Sequence, residues 1–313
     1  MLGFLAKRLA SGVVLVFAVS AAAFVLISIA GGDIARTIVG DAATQEQVDQ
    51  KAAELGLDRP LLEQYWSWLG SAVHGDFGTS WFTNLPVSEL LLTKMPITLS
   101  LALVGTLVSA VLGIALGTIA AVRRGVVDRL LQVLVIGGFA LPGFWLALVL
   151  VSAFAVRWGV LPATGYVPFG SSPSEWARSI ALPVAALAIG VTGATAQQVR
   201  SALIDVLRQD YVRSLRGRGL SSANIVLRHG LRNAAPSALT VISLQFINLL
   251  GGAVIIERIF ALPGLGAMTL DATTQGDVPQ IMGVVVLTVG IVVSVNLVID
   301  VAYGWLNPKV RIG

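Results

Sequence analysis

The sequence has no cysteine and few charged residues, and these two shortages restrict the kind of protein that it encodes. Without cysteine there is no disulfide, no thiolate metal ligand and no cysteine nucleophile. Charged residues make up 12% of the 313 positions and hydrophobic residues 56%, whereas a soluble domain carries about 25% charged residues. So few charges cannot cover the surface of a soluble protein of this length, and the long apolar runs indicate that lipid is the solvent.

Sequence motifs of catalysis are missing as well. No Gly-Lys pair occurs, so the phosphate-binding loop of an ATPase is absent, and so are the common metalloprotease, hydrolase and dinucleotide motifs. The two histidines, His74 and His229, lie far apart in the sequence, which argues against a histidine metal site. We therefore expect a protein that is not an enzyme and that binds no metal or cofactor itself.

Apolar runs long enough to cross a membrane predict an all-α membrane protein, because open sheet edges cannot face lipid. The first run could be a secretory signal, but it is longer than the 7–15 apolar residues or so of a signal core, which favours an uncleaved helix. About six transmembrane helices are expected, over residues 9–30, 99–122, 130–156, 180–199, 236–256 and 281–303.

The positive charges predict the orientation of these helices. If the N-terminus is cytoplasmic, 14 of the 21 lysine and arginine residues fall in the inside segments, as the positive-inside rule requires. Both termini are therefore expected in the cytoplasm.

The first outside loop, 31–96, carries two helix signals. Thr44 is a good N-cap, and Gln47 completes a capping box. A second helix is expected to start near Asp58 with Pro60 in its first turn. This amphipathic helix could lie on the membrane surface or form part of a docking surface for an external partner.

Two later outside segments are rich in proline and glycine, which predicts turns. They are 158–179 and 260–279. The second could be a simple external loop or a re-entrant segment that lines a gate, because irregular backbone at membrane depth needs shelter.

Neutral polar residues inside the predicted spans allow two interpretations. They could form hydrogen bonds between helices, or they could face a translocation pathway and contact substrate amides. The candidates for a pathway are Gln197, Gln245, Asn248 and Asn296. Gly113 and Gly117 form a GxxxG pattern, which predicts close packing of helices.

The inside segment 200–235 combines seven arginines with regularly spaced apolar residues. Gly219 predicts a helix stop and Ser221 a new N-cap, so two short amphipathic helices are expected on the cytoplasmic side. Such a segment could simply sit on anionic lipid, or it could bind a partner.

Five blocks in order resemble the B-type permease subunit of the oligopeptide/dipeptide/nickel family of ABC importers. The resemblance runs nearly end to end. The blocks are MLGFLAKRLASGVVLVF at the start, LGLDRPLLEQYWSWLGSAVHGDFGTSW in the external loop, YVRSLRGRGLSSANIVLRHGLRNAAP in the inside loop, VIIERIFALPGLG after the fifth span, and IDVAYGWLNPKVR near the end.

The resemblance implies the architecture of a type I ABC importer permease, similar to MetI. Residues 1–30 would form the first transmembrane helix, 31–96 the external loop, and 97–313 a five-helix core with a cytoplasmic coupling loop at 200–235. In this family the loop contains the EAA motif, a helix that docks on the ATPase. The residues that match it are Tyr211, Arg213, Ser214, Leu215, Arg216, Arg218 and Gly219.

The match departs from the motif at its centre. The E-A-A positions fall on Arg213, Ser214 and Leu215. The peptide branch commonly has Arg-Thr-Ala there, so Leu215 is the residue that differs.

The resemblance also implies partners and a location. These are a second homologous permease, two ABC ATPase subunits (or one fused) that bind ATP and magnesium, and an extracytoplasmic substrate-binding protein, all at a bacterial plasma membrane. No nucleic acid is expected. The implied cargo is a short peptide, with nickel, glutathione or another small solute as alternatives. The alternative from another class is an ATP-independent channel or secondary transporter.

Overall fold

The structure, a computed structural model, describes residues 2–30, 34–123 and 125–306. In these ranges the secondary structure is helical, with one isolated β-bridge between Thr79 and Pro86, which confirms the all-α prediction. The helices are α1 (Leu2–Ala30), α2 (Ile34–Val39), α3 (Gln45–Glu54), α4 (Leu61–Ala72), α5 (Val87–Val122), α6 (Val126–Ala140), α7 (Gly143–Leu150), α8 (Pro173–Leu207), α9 (Asp210–Gly217), α10 (Ser222–Asn224), α11 (Leu231–Ile259), α12 (Leu265–Gln275) and α13 (Val278–Leu306), with π-helical segments at Val151–Arg157 and Ile225–Gly230.

Five helical runs of the described chain are long and apolar enough to cross a membrane. They contain α1, α5, α8, α11 and α13 and cover five of the six predicted spans. Most extend beyond the apolar runs, and α5 already begins at Val87, so the last part of the predicted loop 31–96 is helical. The predicted cytoplasmic ends include Met1 and 307–313, which lie outside the described residues.

The predicted third span, 130–156, is not one helix. α6 ends at Ala140, Leu141 is extended with φ −86° and ψ 125°, and α7 starts after Pro142. A proline lacks the amide N–H and disfavours helical geometry at the preceding residue, which explains the break. The apolar composition continues through the break and therefore concealed it.

The chain divides into two compact units. Unit 1 contains the chain up to Pro96 together with Pro263–Ser294. One core cluster of this unit joins the start of α5 to α12 and α13, through Val87, Leu265 and Val284 among others. A second cluster packs Tyr65 of α4 between Phe24 of α1 and Met282 of α13.

Unit 2 contains Ile97–Leu262 and the chain from Val295 onward. In this unit α8 packs against α6, α7 and α11. The largest cluster contains Leu101, Leu187, Leu249 and Phe260. The predicted close packing at the GxxxG pattern is confirmed, because a Cβ built on Gly117 would lie 2.5 Å from the Ala196 carbonyl oxygen of α8.

The predictions for the outer segments have mixed outcomes. The capping box of α3 is confirmed, since Thr44 Oγ1 accepts from the Gln47 amide and Gln47 Oε1 accepts from the Thr44 amide. The second helix starts later than predicted, at Leu61, with Pro60 at its N-cap. The segment 260–279 is not only turns, because it contains the partly buried helix α12.

Candidate functional site

The predicted coupling segment is built around α9. α8 ends at Leu207, a short turn follows, and α9 carries the sequence DYVRSLRG. The second predicted amphipathic helix is not a separate element, since one helical run extends from Ser222 to Ile259. Ser221 caps its start, as predicted, by accepting from the Asn224 amide. Pro236 lies within this run, but the helix continues past it and through a π-helical turn to Ile259.

The base of the segment is packed within unit 2. Val212 of α9 has no exposed surface. Behind α9, Val226 of the π-helical turn joins a cluster with Leu203 of α8. The Tyr211 hydroxyl accepts a hydrogen bond of 2.9 Å from Asn233 Nδ2 of α11. α9 is therefore tied to the helical run that follows it in the chain.

The C-terminal end of α9 is fixed by Gly219. Its φ is +79°, a left-handed conformation that glycine adopts without strain. The Gly219 amide donates to the Arg216 carbonyl at 2.9 Å and the Leu220 amide to the Leu215 carbonyl at 3.3 Å. These two bonds make a Schellman motif, which ends a helix at a defined residue.

The rest of α9 is an exposed cationic surface. The side chains of Arg213, Ser214, Arg216 and Arg218 are exposed, and Leu215 is half-buried. Arg213 forms an ion pair with Asp210 at 3.4 Å, with 80% and 95% of the two side chains exposed. Water screens such a pair, so it contributes little to stability. The arginines are thus free to meet acceptors on another protein.

The predicted pathway residues do not form one group. On α11, Asn248 Nδ2 donates to Oε1 of the buried Gln245 at 3.2 Å. Asn296 of α13 accepts from Ser243 of α11, which is the interhelical bond of the first interpretation. Gln197 is exposed and lies beside Arg200 in a narrow crevice of unit 2. The role of all four in a pathway stays a prediction.

Two buried carboxylates escaped the sequence patterns. Ser80 Oγ donates to Asp277 at 2.5 Å across 197 residues of sequence, and Gln280 Nε2 donates to the same oxygen. Thr98 donates to Glu257 across 159 residues. Asp277 and Glu257 have no exposed surface. Only the tertiary fold brings these partners together, so no local pattern could identify them.

A bidentate ion pair ties α6 to α8. Arg200 Nε and Nη2 donate to the two carboxylate oxygens of Asp128, both at 2.7 Å. These hydrogen bonds lower the pKa of Asp128 below its ordinary value, against the opposing effect of its burial. Arg200 lies on the helix that leads directly into α9, so the pair fixes the base of the coupling segment.

The fold defines a class of protein. Two crystal forms of the inward-facing methionine ABC transporter MetNI contain a similar chain, with TM-scores of 0.56 and 0.57 and sequence identities of 18% and 19%. Each comparison covers 70% of this chain and 96% of the other. The fold is therefore that of an ABC transporter membrane subunit. Residues 1–102 match the N-terminal component and 113–312 the inner membrane component of binding-protein-dependent transport systems, and the chain belongs to this family.

The chain is similar to named permeases over almost its full length. A protein of Brucella abortus (strain 2308), named as a peptide transport system permease, is 38% identical over 97% of this chain and 98% of its own. The glutathione transport system permease protein GsiC of Escherichia coli (strain K12) is 36% identical over 99% of each chain.

These findings confirm the resemblance inferred from the five blocks. The chain is a multi-pass permease subunit of an ABC importer in the bacterial inner membrane. It is not an enzyme, because ATP hydrolysis in this family belongs to the partner subunits. An ATPase and a substrate-binding protein are therefore its partners.

Proposed function

We propose that this chain forms half of the translocation pathway of an importer for short peptides. The other half is a second homologous permease, and two ATPase subunits (or one fused) bind beneath the pair. The similarity over full length to a relative named for peptide transport supports the cargo. Glutathione, which is itself a small peptide, is the second candidate, because the chain is also similar to GsiC.

The observation that carries the coupling role is the exposed cationic surface of α9. A helix anchored by the buried Val212 and ended at Gly219 presents its arginines in one fixed arrangement. Guanidinium groups bind carboxylates and carbonyl groups of a partner through paired hydrogen bonds. Docking of Tyr211, Arg213, Ser214, Leu215, Arg216, Arg218 and Gly219 in a groove of the ATPase would transmit its closure to α8 and α11.

The mechanism is alternating access. ATP binding favours one state of the ATPase pair, and this differential binding supplies the free energy of the switch. In this proposal 31–96 lies outside and faces the binding protein, while 200–235 faces the ATPase. Gln245, Asn248, Asn296 and Gln197 would offer amide groups to the peptide as the helices rearrange.

Reconstituted transport tests the proposal. The chain is co-expressed with the neighbouring genes, purified by a tag on this subunit and placed in liposomes with its binding protein. We expect ATP-dependent uptake of a labelled dipeptide and a complex that contains a second permease. Uptake without ATP, or a complex without an ATPase, would contradict the proposal.

A charge reversal tests the coupling surface. Arg213→Glu should reduce co-purification of the ATPase and lower uptake by tenfold or more, on the order of 1.4 kcal/mol of lost docking. The matched control is Arg178→Glu, an exposed arginine at the predicted external end of α8, and it should leave both quantities unchanged. Normal uptake by Arg213→Glu would refute this role of α9.

A further inference from the structure

A cavity in unit 1 has no role in the coupling mechanism described above. Its volume is about 460 Å³, and its walls come from α1, α2, α4, the α3–α4 connection, the loop after α4 and the start of α13. Cavities of about 300–1,000 Å³ are the usual size of small-molecule sites. The cavity therefore has room for an amino acid or a short peptide.

The aromatic part of the wall contains a buried donor without an acceptor. Phe24, Trp68 and Trp81 line the cavity. Trp68 Nε1 is buried and has no hydrogen-bond partner among the described residues. A buried N–H without an acceptor costs about 1–3 kcal/mol. The nitrogen has almost no accessible surface, so a ligand oxygen in the cavity could accept from it only after a shift of the indole ring.

The lining of the cavity also carries one cation and one anion. Arg59 and Asp76 both line the cavity, and both residues are exposed to solvent as well. Gln64 Nε2 donates to the Arg59 carbonyl at 2.8 Å, which fixes the backbone that carries this arginine. Asp76 Oδ1 accepts from the Gly78 amide at 2.9 Å. No ion pair of Arg59 is found within the described part of the chain.

The two charges restrict the chemical class of the ligand. A simple anion would be attracted by Arg59 and repelled by Asp76, and a simple cation the reverse. A molecule with both a free amino group and a free carboxylate satisfies both side chains. After a shift of its ring, the Trp68 indole could donate to the carboxylate or to a peptide carbonyl, and the aromatic wall accepts an apolar side chain.

We propose that this cavity binds a small zwitterion, namely a short peptide or amino acid with free termini, on unit 1 of the permease. The choice of a peptide rests on the proposed function. The site would hold the peptide after its release from the binding protein and before translocation, and it would select for unblocked termini.

Calorimetry on the purified importer complex, without binding protein or ATP, tests the site. The probes are Ala-Ala, N-acetyl-Ala-Ala and Ala-Ala amide. We expect Ala-Ala to bind at least tenfold more tightly than either blocked peptide. Arg59→Gln should abolish the discrimination against the amide, and Asp76→Asn the discrimination against the acetylated form. Trp68→Phe should weaken binding several-fold, whereas Trp66→Phe, on the same helix but outside the cavity wall, should not.

Several results would overturn the inference. They are the absence of Ala-Ala binding, equal binding of the blocked peptides, and unchanged binding in all three cavity variants. Loss of Ala-Ala binding on adding phosphatidylethanolamine would assign the site to a lipid headgroup and overturn the peptide assignment. Intact ATP-dependent uptake with no direct binding refutes the cavity site alone, whereas direct binding without peptide uptake refutes the proposed function.

Discussion

The ion pair between Arg200 and Asp128 makes a strong prediction, because its geometry and exposure are well defined. Both donor–acceptor distances are 2.7 Å, and 26% and 15% of the two side chains are exposed. A hydrogen bond to a charged group contributes about 1.5–3 kcal/mol, and partial exposure to water reduces this value. We expect a coupling free energy of about 1–2 kcal/mol between the two side chains.

A double-mutant cycle measures this coupling. Arg200→Gln, Asp128→Asn and the double variant are compared with the parent by SDS titration of the purified permease, followed by circular dichroism. The losses of stability of the two single variants should add up to more than the loss of the double variant, because each single variant leaves one charge without its partner. The exposed pair Arg178 and Glu175, separated by 4.0 Å, serves as the control and should show no measurable coupling.

The pH dependence provides a second readout of the same pair. The hydrogen bonds from Arg200 depress the pKa of Asp128, so the folded state favours the ionised carboxylate. The stabilisation is complete above about pH 4, which is the ordinary pKa of an aspartate. It is lost as the pH falls through the depressed pKa of Asp128. The reasoning is refuted if the stability losses of the two single variants add up to the loss of the double variant, or if the coupling is no larger than that of the control pair.

Three further predictions concern a helix end, a helix contact and a buried carboxylate. Gly219→Pro cannot adopt the φ of +79° and should uncouple ATP hydrolysis from uptake while membrane insertion stays intact; normal uptake would contradict this. Gly117→Ala should lower the melting temperature, because its Cβ would lie 2.5 Å from a carbonyl oxygen of α8, whereas Gly251→Ala has no such neighbour and should not. Asp277→Ala should lower the free energy of unfolding by about 1–3 kcal/mol, because it removes the acceptor of buried donors, and the loss should exceed that of Ser80→Ala. If Asp277→Ala and the parent protein have equal free energies of unfolding, the carboxylate is not required.

The apolar runs predicted most of the helices because their signal is long and simple. The runs that became α1, α8 and α13 were identified without any tertiary information. Helix ends were harder to predict, since α5 continues outward through Glu89 and Lys94, which hydropathy alone excludes. The break before Pro142 lies in uninterrupted apolar sequence, where average composition carries no signal.

Short-range motifs at the candidate site could also be predicted, but from a few neighbouring residues and not from a long apolar run. The stop at Gly219 and the cap at Ser221 depend on neighbours within a few residues, so the local sequence specifies them. The pairing of Ser80 with Asp277 depends on the whole fold. The cavity of unit 1 also collects side chains from distant parts of the chain, and no spacing in the sequence marks it.

The π-helical turn at Ile225–Gly230 has a consequence for chain length in this region. A π turn holds one residue more than the α-helical turn it replaces. Deletion of a single residue within Ile225–Gly230 would therefore convert the turn to regular helix and preserve the angular position of every later residue of α11. The same deletion elsewhere in α11 would rotate all later side chains by about 100°. Natural relatives that differ by one residue in this part of the chain should place the difference in this turn.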